Sequence, residues 1–219
     1  MDFKVTQNEI NIGDSSYVVQ SVTNFDELYD RLVSQGLDSE EVADERIPYW
    51  AELWPSAVGL ATHLNMNKSL TSGKTVLEIG CGLGLPSMVA ASSGGMVTAT
   101  DYLQDAVDFA NKNAELNGIK NIIFQAFDWR WSSELKPFDV LLASDVAYER
   151  KQFNHLRQAF KDLVKPDGLI LLSEPNRYIA KPFLEALALE GYNLTKHPYD
   201  VSVRDIRTNV SVCEIRRMQ

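Results

Sequence analysis

From residue 75 onward, short apolar runs alternate with longer amphipathic stretches, and this alternation constrains the fold more than any other feature of the chain. The apolar runs are Thr75–Ile79, Met96–Thr100, Ile122–Phe127, Val140–Ala143 and Leu169–Leu172. Between them, Pro86–Ser92, Leu103–Leu116, Lys151–Val164 and Ile179–Leu189 carry apolar residues at helical spacing. Strands apolar on both faces and separated by helices predict a parallel sheet covered on each side. Asn193–Thr195 and Val210–Ile215 read as two more strands, joined by a polar turn. The expected fold class is α/β: a doubly wound, mostly parallel seven-stranded sheet with helices on both faces, Rossmann-like.

Ahead of this core, residues 2–22 alternate apolar and polar around Asn11-Ile12-Gly13-Asp14, which predicts a β-hairpin. Phe25, Leu28, Leu32 and Val33 mark a helix that Gly36 ends. Ser56 is placed to cap a further helix running to about Leu64. Residues 1–55 are thus expected to form a hairpin, a helix and an aromatic segment packed on a core of residues 56–219. One structural domain suits a chain of 219 residues.

Composition removes several function classes. Cys81 and Cys213 are too few for a disulfide framework or a structural zinc site. His63, His155 and His197 lie far apart with no ligand spacing, so no metal centre is expected, and a reducing, cytoplasmic compartment fits. No apolar run approaches the ~18 residues of a membrane span. Residues 1–5 have neither a basic region ahead of an apolar stretch nor an Arg-rich amphipathic pattern, which argues against secretion and organelle import. A net charge of −9 argues against a surface that tracks nucleic-acid phosphates. Between Ser21 and Leu53, nine acids face two bases, a local balance of −7. Such a run is either a solvated face or a surface that attracts a basic partner.

The first strand of the core runs into Glu78-Ile79-Gly80-Cys81-Gly82-Leu83-Gly84. Glycines at alternate positions after a strand let the backbone approach a ligand and present its N–H groups. A dinucleotide loop wants G-x-G-x-x-G, and position 85 is Leu. Gly73-Lys74-Thr75 imitates the end of a phosphate loop, but position 68 is Lys and the segment precedes a strand. At the end of the second strand, 21 residues beyond Gly80, Asp101 offers a carboxylate suited to two ribose hydroxyls.

The loop and its preceding acid resemble motif I of class I, seven-strand S-adenosylmethionine-dependent methyltransferases. The resemblance implies S-adenosyl-L-methionine as cofactor, converted to S-adenosyl-L-homocysteine. It also implies cofactor contacts from Trp54, Glu78, Gly80, Cys81, Gly82, Gly84, Asp101, Tyr102 and Ser144. In that family an acid such as Asp128 meets the adenine amino group, and its successor, here Trp129, covers the ring. A loop cap beside a core indole is the plainer reading of Asp128-Trp129. Cys81 reads as a small filler of the loop, not a nucleophile.

Asp145-Val146-Ala147-Tyr148, after the fourth core strand, resembles the D-x-x-Y motif of a subgroup rich in protein lysine methyltransferases. Nucleic-acid amino-methyltransferases carry a Pro-Pro dipeptide there, and this chain has none. Pro48 to Ser56, with Trp50 and Trp54, looks like the aromatic segment of the same subgroup. Glu174-Pro175-Asn176-Arg177 is similar to the D-P-G-R stretch of the electron-transfer flavoprotein β-subunit lysine methyltransferase family, with Glu for Asp and Asn for Gly. The resemblance spans roughly Pro48 to Arg177. It implies Asp145 and Tyr148 as catalytic residues, with Trp50, Glu174 and Arg177 binding substrate. Helix packing by the tryptophans, a strand-end cap at Asp145 and an ion pair between Glu174 and Arg177 are the structural alternatives.

The expected activity is methylation of a lysine side chain in a protein with a basic target site, by a monomer acting on neither nucleic acid nor membrane. A small-molecule N-methyltransferase for amines or N-heterocycles, and a non-catalytic cofactor-binding module, remain the other readings.

Overall fold

The computed structural model describes residues 3–36, 38–39, 42 and 47–218. Of the acidic run, Glu40, Glu41, Asp44, Glu45 and Arg46 lie outside the described residues. The predicted hairpin is present as β1 (Val5–Ile12) and β2 (Ser15–Val22), paired antiparallel about the Gly13 turn. Helix α1 (Phe25–Ser34) follows, burying Leu28 and Leu32.

The core sheet holds β3 (Thr75–Ile79), β4 (Met96–Asp101), β5 (Ile122–Ala126), β6 (Phe138–Ser144), β7 (Val164–Glu174), β8 (Tyr192–Val203) and β9 (Ile206–Arg217). Their order is β5-β4-β3-β6-β7-β9-β8. The first five strands are mutually parallel, and β9 runs antiparallel to both β7 and β8. The seven-stranded, mostly parallel sheet expected from the alternation is therefore the architecture observed.

Period-two alternation along the strands explains the two helical layers. Val76, Val140, Leu142, Leu171 and Val212 face α2 (Pro55–Met66), α3 (Leu85–Ser92) and α4 (Gln104–Leu116). Their neighbours Leu77, Leu141, Ile170, Leu172 and Cys213 face α5 (Phe153–Leu163) and α6 (Lys181–Leu189), where Phe160 and Phe183 are fully buried. Each such buried apolar side chain contributes roughly 1.5–3 kcal/mol.

Three boundaries differ from expectation for local reasons. Pro55 occupies the first turn of α2 and Trp54 the cap, so Ser56 lies inside the helix instead of capping it. Strand β7 extends back past Pro166 and Gly168 through a register shift against β6. Strand β8 is far longer than Asn193–Thr195 because it lies at the sheet edge, where Pro198 is tolerated.

The hairpin is tied to the core by two asparagines, Asn113 on α4 and Asn117 at its end. Asn117 Oδ1 accepts from Val18 N (2.8 Å). Asn113, fully buried, accepts from Gln20 N (2.7 Å) and donates to Gln20 O (3.1 Å) and Leu83 O (3.0 Å). Strand order reverses between β3 and β6, and a doubly wound sheet opens its ligand crevice at the carboxyl ends there. Among the described residues, no helix is long and apolar enough to cross a membrane.

Candidate active site

At that reversal lies a cleft of about 440 Å³, ample for a drug-sized ligand. Its floor is the loop from β3 to α3. Gly80, Gly82 and Gly84 all adopt left-handed backbone, with φ of 63°, 49° and 79°. At Gly84 a side chain would also meet Ala110: an added Cβ falls 3.0 Å from the alanine methyl. Glycine is thus required there by conformation and by space.

Glu78 supports this loop from behind. Its Oε2 accepts from Ser87 N (2.9 Å) and Ser87 Oγ (2.5 Å), anchoring the first turn of α3. Complete burial pushes its carboxyl up to about 8. Glu78 is not on the cleft wall, so its observed role is to hold the loop rather than face a ligand.

Asp101 ends β4 on the wall, 5% exposed, accepting from Gly82 N (3.1 Å) and Leu103 N (3.2 Å). Desolvation raises its carboxyl to about 6, against the pull of those backbone donors. Cys81 lines the cleft, with its thiol pushed well above the ordinary range by burial. Tyr102 and Ser144 line it too. Asp128 and Trp129 form part of the same wall, and Asp128 spends its carboxylate on Arg130: Oδ1 accepts from the backbone N (2.9 Å) and Oδ2 from Nε (2.7 Å). The loop-cap reading of Asp128 is what these bonds describe.

The far end of the cleft is built around Asp145. Ser144 ends β6 beside Ser173 of β7, which brings Asp145 next to the Glu174–Arg177 turn. Arg177 donates to Asp145 through Nη1 (2.6 Å to Oδ1) and Nη2 (3.0 Å to Oδ2). Ser56 Oγ donates to Oδ2 at 3.3 Å. Asp145 itself sits at φ 58°, a left-handed conformation uncommon for a residue with a side chain and concentrated at functional sites. Burial raises its carboxyl, while the Arg177 charge and both partners' hydrogen bonds oppose the rise.

The structural alternative of a Glu174–Arg177 ion pair is not what joins these residues. Glu174 is buried off the cleft wall and accepts the backbone N–H of Arg177 (2.9 Å), shaping the turn that aims the guanidinium at Asp145. Trp50 belongs to the cleft wall but is only 7% exposed, its ring packing on Phe3 (centroids 5.7 Å) and Phe109 (5.1 Å). The aromatic mouth consists of Tyr49, Trp54 and Tyr148, with Tyr49 edge-on to both others at 5.8 and 5.7 Å. Trp54 Nε1 donates to Tyr49 O (2.7 Å), and burial raises the Tyr148 phenol above its usual range. Tyr49 and Ser56 are two of the site residues that sequence reasoning passed over. Both stand inside the aromatic segment it singled out.

A family described as lysine methyltransferase matches residues 34–189. Among curated proteins, the chain is 33% identical over 170 residues to protein N-lysine methyltransferase METTL21A of Danio rerio, covering 74% of this chain and 77% of that one. It is 29% identical to the histidine protein methyltransferase 1 homolog of Dictyostelium discoideum, over 73% of this chain and 54% of that one. It is 30% identical to the electron transfer flavoprotein beta subunit lysine methyltransferase of Danio rerio, over 59% and 51% respectively. The chain spans about half the length of these last two relatives. In fold it is similar to the 16S rRNA N2 G1207 methyltransferase RsmC of T. Thermophilus, solved with AdoMet and guanosine. That match has a TM-score of 0.66 and 15% identity, and covers 100% of this chain and 52% of that one.

Proposed function

The chain belongs to the lysine methyltransferase family, and on that premise we propose that it methylates a lysine side chain of a protein substrate, using S-adenosyl-L-methionine. The observation that carries this reading is the two-ended cleft. A glycine loop and a strand-end carboxylate stand at one end, and a charged pair under an aromatic mouth at the other.

The residues present fit the cofactor. The left-handed glycine loop keeps side chains away from the cleft floor, and Asp101 offers a nearly buried carboxylate to a ribose diol. S-adenosyl-L-methionine, when bound, supplies a methyl group on a cationic sulfonium. Gly80, Gly82, Gly84, Cys81, Tyr102, Trp129 and Ser144 would wall it in, with Trp54 near the mouth.

The chain's own task is to present a neutral amine. Neutralising a lysine of ordinary pKa, ~10.4, at pH 7 costs about 4.6 kcal/mol. Desolvation between Tyr49, Trp54 and Tyr148, beside the Arg177 guanidinium, disfavours the ammonium form and reduces that cost. Asp145 has about four lone-pair sites, of which Arg177 takes two and Ser56 one. The remaining site would accept an N–H of the amine and orient its lone pair into the cleft, a positioning role. A target rich in basic residues suits a protein of net charge −9.

The test is to incubate the purified chain and methyl-labelled S-adenosyl-L-methionine with extract from cells lacking the gene. We expect label in a discrete band that protease removes and nuclease spares, with mass spectrometry placing the added methyl on lysine. Label confined to small soluble molecules would move the assignment to an amine or N-heterocycle acceptor. A methylated histidine or arginine in the band would keep the protein acceptor and overturn the lysine.

A further inference from the structure

The fold brings together two histidines that stand 134 residues apart in the sequence. His63 lies on α2, seven residues beyond Ser56, on the side that covers β8 and β9, and is 1% exposed. His197 and Tyr199 are two apart on β8 and share its inner face. Glu214 on β9 alternates with Cys213, which faces the other layer, and so points at α2 as Val212 does.

Glu214 Oε1 lies 3.3 Å from His63 Nε2 and 3.2 Å from His197 Nε2, and the two imidazoles are 4.9 Å apart between centroids. Among the described residues, neither Nε2 has a hydrogen-bond partner, although both are buried atoms. The carboxylate oxygen is thus within ion-pairing distance of both nitrogens without making a well-formed hydrogen bond to either. Donor atoms arranged about a common centre have this relation to one another. Tetrahedral zinc, with bonds of about 2.0–2.1 Å, sets its ligand atoms about 3.3 Å apart. The three donor atoms here all fall within 4.8 Å of one another.

We propose that His63, His197 and Glu214 form a zinc site, with two imidazole nitrogens and one carboxylate oxygen as ligands and the fourth position open to solvent. Two nitrogens and an oxygen are a donor set zinc accepts. Tyr199 Oη, 2.8 Å from His63 Nδ1, supplies the outer support. In the zinc-bound state Tyr199 Oη would accept Nδ1–H, the tautomer whose Nε2 lone pair is free to ligate. His197, on the edge strand and partly exposed, leaves a way in from solvent. A metal here would clamp α2 onto the terminal hairpin, two helical turns from the Ser56 that contacts Asp145.

The test uses the full chain, free of affinity tag and stripped by chelator, titrated with Zn²⁺ by calorimetry and followed by thermal unfolding. We expect one Zn²⁺ per chain and a higher unfolding midpoint, with Co²⁺ giving the visible absorption of a tetrahedral site. His197→Ala should abolish both, and Glu214→Gln, nearly isosteric, should do the same without disturbing the apo fold. Tyr199→Phe should keep the stoichiometry and weaken affinity by about tenfold or more. Absence of stoichiometric Zn²⁺ binding by the folded wild-type chain would overturn the site. So would binding undiminished in either ligand variant.

Discussion

Arg177 grips Asp145 with both terminal nitrogens, 2.6 and 3.0 Å from the two carboxylate oxygens, across 32 residues of sequence. Paired, fork-like contact of this kind fixes orientation as well as charge. It holds a carboxylate that burial would otherwise drive toward protonation. The turn that delivers Arg177 is itself held by Glu174.

Removing Asp145 should therefore abolish presentation of the acceptor and spare the cofactor end of the cleft. We expect Asp145→Ala to lower turnover by about 100-fold or more while the cofactor Kd changes much less. Equal loss of both would make Asp145 a cofactor-binding residue.

Arg177→Ala leaves the carboxylate without its counter-charge, and the pKa of Asp145 should rise further. The acid limb of the kcat/KM profile should then move to higher pH, since the ionised form would be reached later. A limb that stays in place while kcat falls would assign Arg177 to substrate contact alone.

At the other end, Asp101 is raised to about 6 by desolvation and is the better acceptor when ionised. Cofactor affinity should fall as pH drops through about 6 in the wild type. Asp101→Ala should weaken binding at every pH and flatten that dependence. Calorimetric titration across the range checks both, and an unchanged Kd in the variant would remove the ribose assignment.

Glu78 makes stability depend on pH in the opposite sense from a salt-bridged acid. Its carboxyl titrates at about 8 in the folded chain and near the ordinary 4.5 once unfolded, so between them the folded state keeps a proton the unfolded state has lost. Stability from this group therefore declines as pH rises across that window, at about 1.4 kcal/mol per unit. Between about pH 6 and 8, Glu78→Gln should gain about 2–3 kcal/mol relative to wild type in denaturant unfolding. A constant difference would mean the carboxyl is ionised throughout.

Gly84→Ala puts a methyl 3.0 Å from Ala110 at φ 79°. We expect a loss of about 1–3 kcal/mol, visible as a melting point lower by about 2–4 °C per kcal/mol. Cofactor affinity should fall with it, because the strained turn is the cleft floor.

What could be read in advance was whatever depends on neighbours in sequence. Strand β3 and the spacing of the glycines were legible because an apolar run and a turn requirement are local facts. Partners across the sheet were not. Glu174 stands three residues from Arg177 and is the obvious ion-pair candidate on paper. The guanidinium instead reaches Asp145, because β6 and β7 end side by side. Ser56 has the side chain of a helix cap, but Pro55 takes the first turn and frees its hydroxyl for Asp145. Trp50 and Trp54 belong to one aromatic segment and both line the cleft, yet around a short 3-10 turn at Tyr49–Ala51 the first indole packs on Phe3 and Phe109 of the core while the second stands against Tyr49 at the mouth. His63 and His197 meet only because α2 lies across β8.

Asn113 makes one amide serve two structures, bonding Gln20 of the hairpin and Leu83 of the glycine loop. The hairpin is in effect a brace for the loop, and strain applied to one is passed to the other through a single side chain. A bulky fusion ahead of β1 should therefore act as a lever on cofactor affinity, even though it sits on a part of the surface that never meets the ligand.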